Sequence, residues 1–361
     1  EIHLIDRINS RRYQMHDLVK AYASERADAE CDPADRAEAV RRMFAWYLAR
    51  AYGSYKMILP QGRPIDIGSL ADSMNASTFR DIDEALAWCD VERSNVLACV
   101  EQAEAVGEFA FAWKLALAFI GYLERRSYWS AWIESHEIAI RSAGAIGDLS
   151  AQSFALMLQG DAYWDRRDFD EALARYTKAI EVSRTARDRW TEGFALRGCS
   201  LTHLELGNYQ DAVRYSSAAY SIFVDIGELR GQGMTLLSLG NAYRELRDFE
   251  AATRHYNSAI RIFTQLGNEW SVGLASYHSG LADTLSSDHH AALRNFDRAL
   301  EIFRKLGDRR HEAWVLRDMA PSLGIVRSSD AARESRERAL EILTQLNDPE
   351  ADELRSQLRQ A

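Results

Sequence analysis

Three small groups of residues in this chain carry side chains able to do chemistry. Asp288-His289-His290 sets two imidazoles beside a carboxylate. Adjacent histidines on a helix point in different directions and no third ligand stands at metal-site spacing, so a surface turn is expected and no metal. Cys31, Cys89, Cys99 and Cys199 lie far apart with no C-x-x-C pair, which fits reduced cytosolic thiols, with Cys89 and Cys99 in a core. Met15-His16-Asp17 puts an imidazole at a helix start. There it can donate to a phosphate beside unpaired backbone amides, or simply cap or pack. No Ser/His/Asp or Cys/His constellation is found, nor a GxxxxGK[ST] loop, so no enzyme is expected within these boundaries.

The remaining chemistry is that of binding, and the helices that must present it come from composition. The 361 residues are 47% hydrophobic and 27% charged, a folding composition, and the net charge of −10 disfavours general nucleic-acid binding. Arg125-Arg126 and Arg166-Arg167 are isolated pairs and read as solvated turns. No apolar run approaches the roughly 18 residues that span a bilayer, and a cytoplasmic location is expected. The chain opens at Glu1, without Met, in strand-like sequence, which suggests a piece of a longer protein. Its five prolines are Pro33, Pro60, Pro64, Pro321 and Pro349, so residues 65–320 contain none. So long a stretch, rich in Ala, Leu, Glu and Arg, predicts helix nearly throughout.

Sliding the sequence against itself gives register at a shift of 40: Ala172, Ala212, Ala252, Ala292 and Ala332, then Ala179, Ala219, Ala259, Ala299 and Ala339. Paired alanines seven apart let a neighbouring helix approach closely, and the following column, Val182, Ile222, Ile262, Ile302 and Ile342, supplies bulk. Gly227, Gly267 and Gly307 suit left-handed helix ends, and the Asp or Asn near each unit boundary suits a cap. Each unit reads as two helices of about 16 residues around a tight turn, with Phe169, Tyr209 and Phe249 tucked into the turn. Hairpins of this kind must stack to bury their apolar faces.

"LQGDAYWDRRDFDEALARYTKAIEV" and "LGNAYRELRDFEAATRHYNSAIRIF" resemble tetratricopeptide repeats through Gly160, Tyr163, Phe169, Ala172, Tyr176 and Ala179. The resemblance implies an all-α, right-handed superhelical solenoid of hairpins, preceded by a helical arm and the end of a winged-helix subdomain. Five repeats are expected over 148–346. The fifth departs from the pattern at Ala320-Pro321 and Arg336, and is read as distorted or as a cap together with a helix over 347–361. Residues 107–147 read as a divergent first unit carrying Trp132 in an alanine column, with Trp113, Trp129 and Trp132 a candidate aromatic cluster.

Further upstream, residues 31–106 read as a helical arm. Its first helix, over 33–58, is capped by Asp32 and started by Pro33, and an irregular linker follows at 60–78. "RRYQMHDLVKAYASERA", a short β-like segment running into a helix, resembles the end of the winged-helix subdomain of NB-ARC-type STAND ATPases. The arm resembles that of actinobacterial AfsR-like (SARP-type) regulators. The resemblance implies that His16 lies against the phosphates of ADP in the intact protein. It also implies that ADP or ATP with Mg, an NTPase and an effector domain belong to segments upstream of Glu1. The fragment itself is expected to hold no cofactor.

In repeats of this type the first helix of each hairpin lines the concave face, where peptides or partner segments are held. The inward positions are Phe154, Met157, Asp161 and Trp164, followed by Phe194, Arg197, Leu201 and Leu204. Leu237, Asn241 and Arg244 come next, then Tyr277 and Leu281, then Trp314 and Arg317. Asn and Arg there can hold a peptide backbone or carboxylate, with aromatics in apolar contact, or these residues serve ordinary packing. The function expected is a sensor module that binds a peptide, protein or small-molecule inducer and controls the upstream switch; the alternative is a passive interaction scaffold.

Overall fold

Alanine-rich sequence free of internal proline forms helix after helix. A computed structural model describes residues 5–9, 12–74 and 78–360 and contains eighteen helices and one β-hairpin among them. The chain divides into two units, residues 1–147 and 148–361.

In the first unit β1 (Ile5–Asn9) and β2 (Arg12–Met15) pair antiparallel, Ile5 opposite Met15 and Arg7 opposite Tyr13. The chain then enters α1 (Asp17–Glu30) through His16 as N-cap. Residues 1–4 and 10–11 of the expected winged-helix piece lie outside the described residues. Helix α2 (Pro33–Ile58) starts where expected, with Asp32 Oδ1 accepting from the Ala34 amide at 2.7 Å. It buries Phe44, Leu48, Ala51 and Tyr55.

The segment 60–78 is not merely irregular. It forms α3 (Ser69–Ser73), buries Ile65, Ile67 and Ala71, and accepts a 2.8 Å hydrogen bond from the Tyr55 hydroxyl at the Arg63 carbonyl. Its apolar residues are too sparse to show periodicity, yet Ile65, Ile67 and Ala71 join the core while Leu70 stays exposed. Residues 75–77 lie outside the described residues. Helix α4 (Ile82–Ala105) packs on α2, and α5 (Phe109–Ala118) packs on both. Phe119 separates α5 from α6 (Ile120–Arg125), and α7 (Trp129–Ala145) completes the unit. The expected tryptophan cluster does not form: Trp132 is buried edge-on to His136, at 6.3 Å between ring centres, whereas Trp129 is exposed.

In the second unit five hairpins follow one another. They are α8 (Leu149–Asp165) with α9 (Phe169–Ala186), α10 (Arg189–Glu205) with α11 (Tyr209–Asp225), and α12 (Leu229–Glu245) with α13 (Phe249–Gln265). The last two are α14 (Glu269–Leu285) with α15 (His289–Leu306), and α16 (Arg309–Val326) with α17 (Ser329–Gln345). Helix α18 (Glu350–Gln360) packs on α17 and buries Ala351 and Leu354.

Both alanine columns are buried throughout. Asp148, Asp188, Asn268 and Asp308 each accept the amide three residues on, at 2.9–3.2 Å, while Glu228 makes no such bond. Gly307 takes φ 69° at its helix end.

Close helix approach rests on glycine seats for aromatic rings. A Cβ on Gly160 would lie 2.7 Å from the Tyr176 ring, and one on Gly280 would lie 2.8 Å from Phe296; Tyr256 occupies the same place over Gly240. A second series at the same period seats Phe223 on Gly193 and Phe263 on Gly233. In the fifth hairpin the seat is filled by the methyl of Ala320 and the ring is replaced by Arg336. Both helices of the hairpin form, with Pro321 inside α16, whose helix continues to Val326; the departure lies in the turn, where Arg327 takes φ −112° in place of the left-handed residue at Arg167, Gly207, Arg247 and Ser287. Pro321 has no N–H, so the Arg317 carbonyl loses its usual intrahelical partner.

Candidate functional site: the inner face of the repeats

Successive first helices, α8, α10, α12, α14 and α16, touch one another as well as their own partners; second helices have no contact of comparable extent with each other. The first helices therefore lie on the inside of the bend. A stripe at i, i+3, i+4 and i+7 of each faces away from its partner helix.

That stripe is polar and charged toward the carboxyl end. A cleft of about 770 Å³ opens there between α12, α14, α16, α17 and α18. Arg244, Arg317 and Arg336 line it with Glu245, Asp318, Glu350 and Glu353, over an apolar floor that includes Leu281, Leu285 and Leu354. Arg317 donates to both oxygens of Asp318, at 2.7 and 3.0 Å, and to Glu350 Oε2 at 2.5 Å, so the first residue of α18 closes on the inner face. Those bonds hold the Arg317 pKa above the ordinary range against the effect of burial. Asp318 also accepts from the Tyr277 hydroxyl at 2.5 Å.

Arg244 donates to Glu245 at 2.7 Å and to His278 Nδ1 at 3.1 Å. Burial alone would weaken its charge, but Tyr256 and Glu245 raise its pKa. His278 sits beside the rings of Tyr256 and Tyr277, at 6.2 and 5.2 Å. Burial, with Arg244 and His311 adding like charge, pushes its pKa down to about 3. The ring is therefore neutral, accepts at Nδ1 and carries its proton on Nε2.

Of the residues expected on this face, the cleft brings together Arg244, Leu281 and Arg317. Leu237 and Asn241 stand on α12 two turns and one turn before Arg244, half-buried, with Asn241 accepting from the Tyr256 hydroxyl at 2.8 Å. Asp161 accepts from the Tyr176 hydroxyl at 2.7 Å, and Arg197, Leu201 and Trp164 are half-buried. Phe154 and Met157, each 5% exposed, and Tyr277, 7% exposed, are corrections. The next hairpin lies over Phe154, which packs edge-on to Trp190, while Tyr277 turns into the core beside Phe296 of its own hairpin.

His278, Asp318, Arg336 and Glu350 were not anticipated. Asp318 stands forty residues after His278, so the same column comparison could have paired them. Glu350 carried no signal, because α18 lies outside the repeat.

The other chemical groups are structural. Asp288 caps α15, and His289 Nδ1 lies 3.1 Å from Ser322 Oγ. Among the described residues no three His, Cys, Asp or Glu side chains are placed to hold a metal ion, and no helix is long and apolar enough to cross a membrane. Burial pushes the Cys89 thiol up to about 12 and the Cys99 thiol to about 11. Arg126 pairs with Asp90 and Arg167 with Glu205, as suits solvated turns. His16 Nδ1 accepts from the Leu18 amide at 3.3 Å.

Period, hairpin geometry and the lined inner face define a tetratricopeptide-repeat array. Residues 152–224 and 198–265 match the tetratricopeptide repeat family. Within that class the chain is homologous to the regulatory protein AfsR. It is 27% identical to AfsR of Streptomyces griseus over 241 residues, 66% of this chain and 25% of that protein. It is 26% identical to AfsR of Streptomyces coelicolor over 260 residues, 60% of this chain and 26% of that one. The chain thus spans about a quarter of the length of these relatives.

Two solved structures share the fold. One is a signal transduction ATPase with numerous domains (STAND) carrying a tetratricopeptide repeat sensor, from Pyrococcus horikoshii. It has a TM-score of 0.57 at 13% identity, covering 99% of this chain and 56% of that one. The other is a Rap protein complexed with competence and sporulation factor, with a TM-score of 0.54 at 15% identity, covering 76% and 80%.

Proposed function

We propose that this chain is the sensor portion of a STAND-type transcriptional regulator. Its inner face binds a peptide, a protein segment or a small-molecule inducer, and binding is passed through the helical arm to an NTPase switch and effector. The observation that carries the reading is the charged cleft around Arg244 and Arg317 on the inner face of a repeat array homologous to AfsR. The Rap protein, with the same fold, is complexed with competence and sporulation factor, and this supports a peptide or protein as the occupant. Such control requires the occupant to bind the on and off states with different affinity.

The β1–β2–α1 segment fits the end of a winged helix. Helix α1 buries no side chain and leaves Leu18 and Tyr22 75% and 62% exposed, an apolar face suited to cover by a further domain. His16 fits a phosphate contact. Its Nδ1 is used as an acceptor, so the proton rides on Nε2 of an exposed ring. In the intact protein ADP, or ATP with Mg, would supply the phosphates.

Nucleotide content and basal transcription of the full-length protein test this. His16→Ala should reduce retained ADP and raise basal output. Unchanged retention and output would remove His16 from the switch. Hydrogen exchange over residues 1–80, with and without a bound peptide, separates a switch from a passive scaffold: only a switch alters protection there.

A further inference from the structure

Four first helices, α10, α12, α14 and α16, each pack on the second helix before them and on the first helix of the preceding hairpin. Helix α18 follows α17 in the same order but is held less. It packs on α17 less extensively than its predecessors pack on theirs, and its contact with α16 is slight. Helix α16 buries eight side chains; α18, among the described residues, buries Ala351 and Leu354. The space left between α18 and the first helices is the cleft of about 770 Å³, with Glu350, Glu353, Leu354 and Gln357 as one wall and Leu281 and Leu285 on the floor.

The turn before α18 is anchored. Asp348 accepts from Arg310 at 2.8 Å and from the Glu350 amide at 3.1 Å, and Asn347 takes φ 52°. Beyond that turn one polar tie reaches the inner face among the described residues, Arg317 to Glu350 at 2.5 Å, with 31% and 34% of the two side chains exposed. Arg355 reaches Asp352 of its own helix and Thr344 of α17. A helix fixed at one end, with two buried side chains and one partly solvated ion pair, opens at far lower cost than the fold itself.

We propose that α18 is a lid on the inner-face cleft, pivoting at Asn347–Pro349 and released when Glu350 leaves Arg317. The inference rests on the function proposed above and adds the regulation of its site. Shut, the lid seats Leu354 in the apolar cluster against which Leu281 packs. Open, it bares that floor. An occupant that uses the floor binds the open form better, so its apparent affinity is set by the fraction of chains with the lid open.

The test uses residues 1–361, hydrogen exchange over α16, α17 and α18, and the apolar dye 1-anilinonaphthalene-8-sulfonate as the probe of the floor. Glu350→Gln should speed exchange over residues 350–357 about fivefold or more while α16 and α17 keep their protection. Asp352→Asn removes an acid from the same first turn but not from the cleft, and should change exchange there by less than about twofold. Dye affinity should rise several-fold with Glu350→Gln, and Leu285→Asp should cancel the rise. An equal response of α18 to the two substitutions makes it a frayed or fixed end and overturns the lid, as does dye binding that ignores Glu350→Gln. Neither readout needs a natural occupant, so that result leaves the inner-face reading to stand or fall on exchange over residues 1–80.

Discussion

Ser200 and Ser216 lie with their Oγ atoms 2.5 Å apart, and Ser200 donates to the Ala212 carbonyl at 2.8 Å. In the other regular hairpins these two places hold glycine and an aromatic ring: Gly160 with Tyr176, Gly240 with Tyr256, Gly280 with Phe296. The second hairpin has exchanged a shape match for a hydrogen-bonded match, and both members changed together. Gly240→Ser alone should therefore cost about 1–3 kcal/mol by overpacking against Tyr256. Joined to Tyr256→Ser it should cost at least about 1 kcal/mol less than the sum of the two single changes. Urea unfolding of the double-mutant cycle measures this, and strictly additive costs would refute the exchange.

Glu192 is 3% exposed and takes Arg184 at 2.7 Å and Arg189 at 2.6 Å. Glu312 does the same with Arg304 at 2.9 Å and with Arg309, three repeats on. Each clamp ties the end of one hairpin to the start of the next. Both arginines of the first clamp are substantially exposed, so the worth is below that of a fully buried pair. Glu192→Gln should cost about 1–2 kcal/mol, against under about 0.5 kcal/mol for Glu181→Gln, whose partner Lys178 is exposed with it. Equal midpoints for the two variants in denaturant would discard the clamp.

His136 and His278 set a pH dependence. Burial pushes the His136 pKa down to about 3, against the hydrogen bond to the Trp132 carbonyl, and His278 lies equally low. Both pKa values fall below the unfolded value of about 6.5, so the unfolded chain binds more protons between these limits. Stability is full above pH 6.5 and declines as pH falls toward 3, each ring adding a slope of up to about 1.4 kcal/mol per pH unit. His278→Asn should flatten the fall between pH 6 and 4 relative to wild type. An unchanged slope in urea titrations across that range would count against a neutral buried ring.

Thiol labelling should separate one cysteine from three. Cys31 is exposed; burial pushes Cys89 and Cys199 up to about 12 and Cys99 to about 11. A thiolate-seeking disulfide reagent at pH 8 should titrate a single thiol in the native protein and all four in denaturant. Fast native reaction at Cys199 would show that α10 opens far more readily than its packing implies.

The fold was legible because its signals are local and repeated. Alanine columns, the left-handed turn at Gly307 and the Asp caps each restate one geometry every forty residues. The second glycine series, Gly193, Gly233 and Gly273, lay in the same register and was readable by the same comparison. The segment 60–78 was less legible, since Ile65 and Ile67 gain their meaning only from the tertiary packing that buries them. At the inner face, spacing told which residues face inward but not how closely the neighbouring helices pack over them. Phe154, Met157 and Tyr277 were absorbed by packing for that reason, and Arg317 met a carboxylate from outside the period.

Tyr176 is wedged against Gly160 of its own hairpin and Gly198 of the next, and Phe223 against Gly193 and Gly231 in the same manner. A ring that bears on two backbones at once couples their rotation. Twisting one hairpin about the array's long axis must drag its neighbour along, so the early repeats resist torsion together.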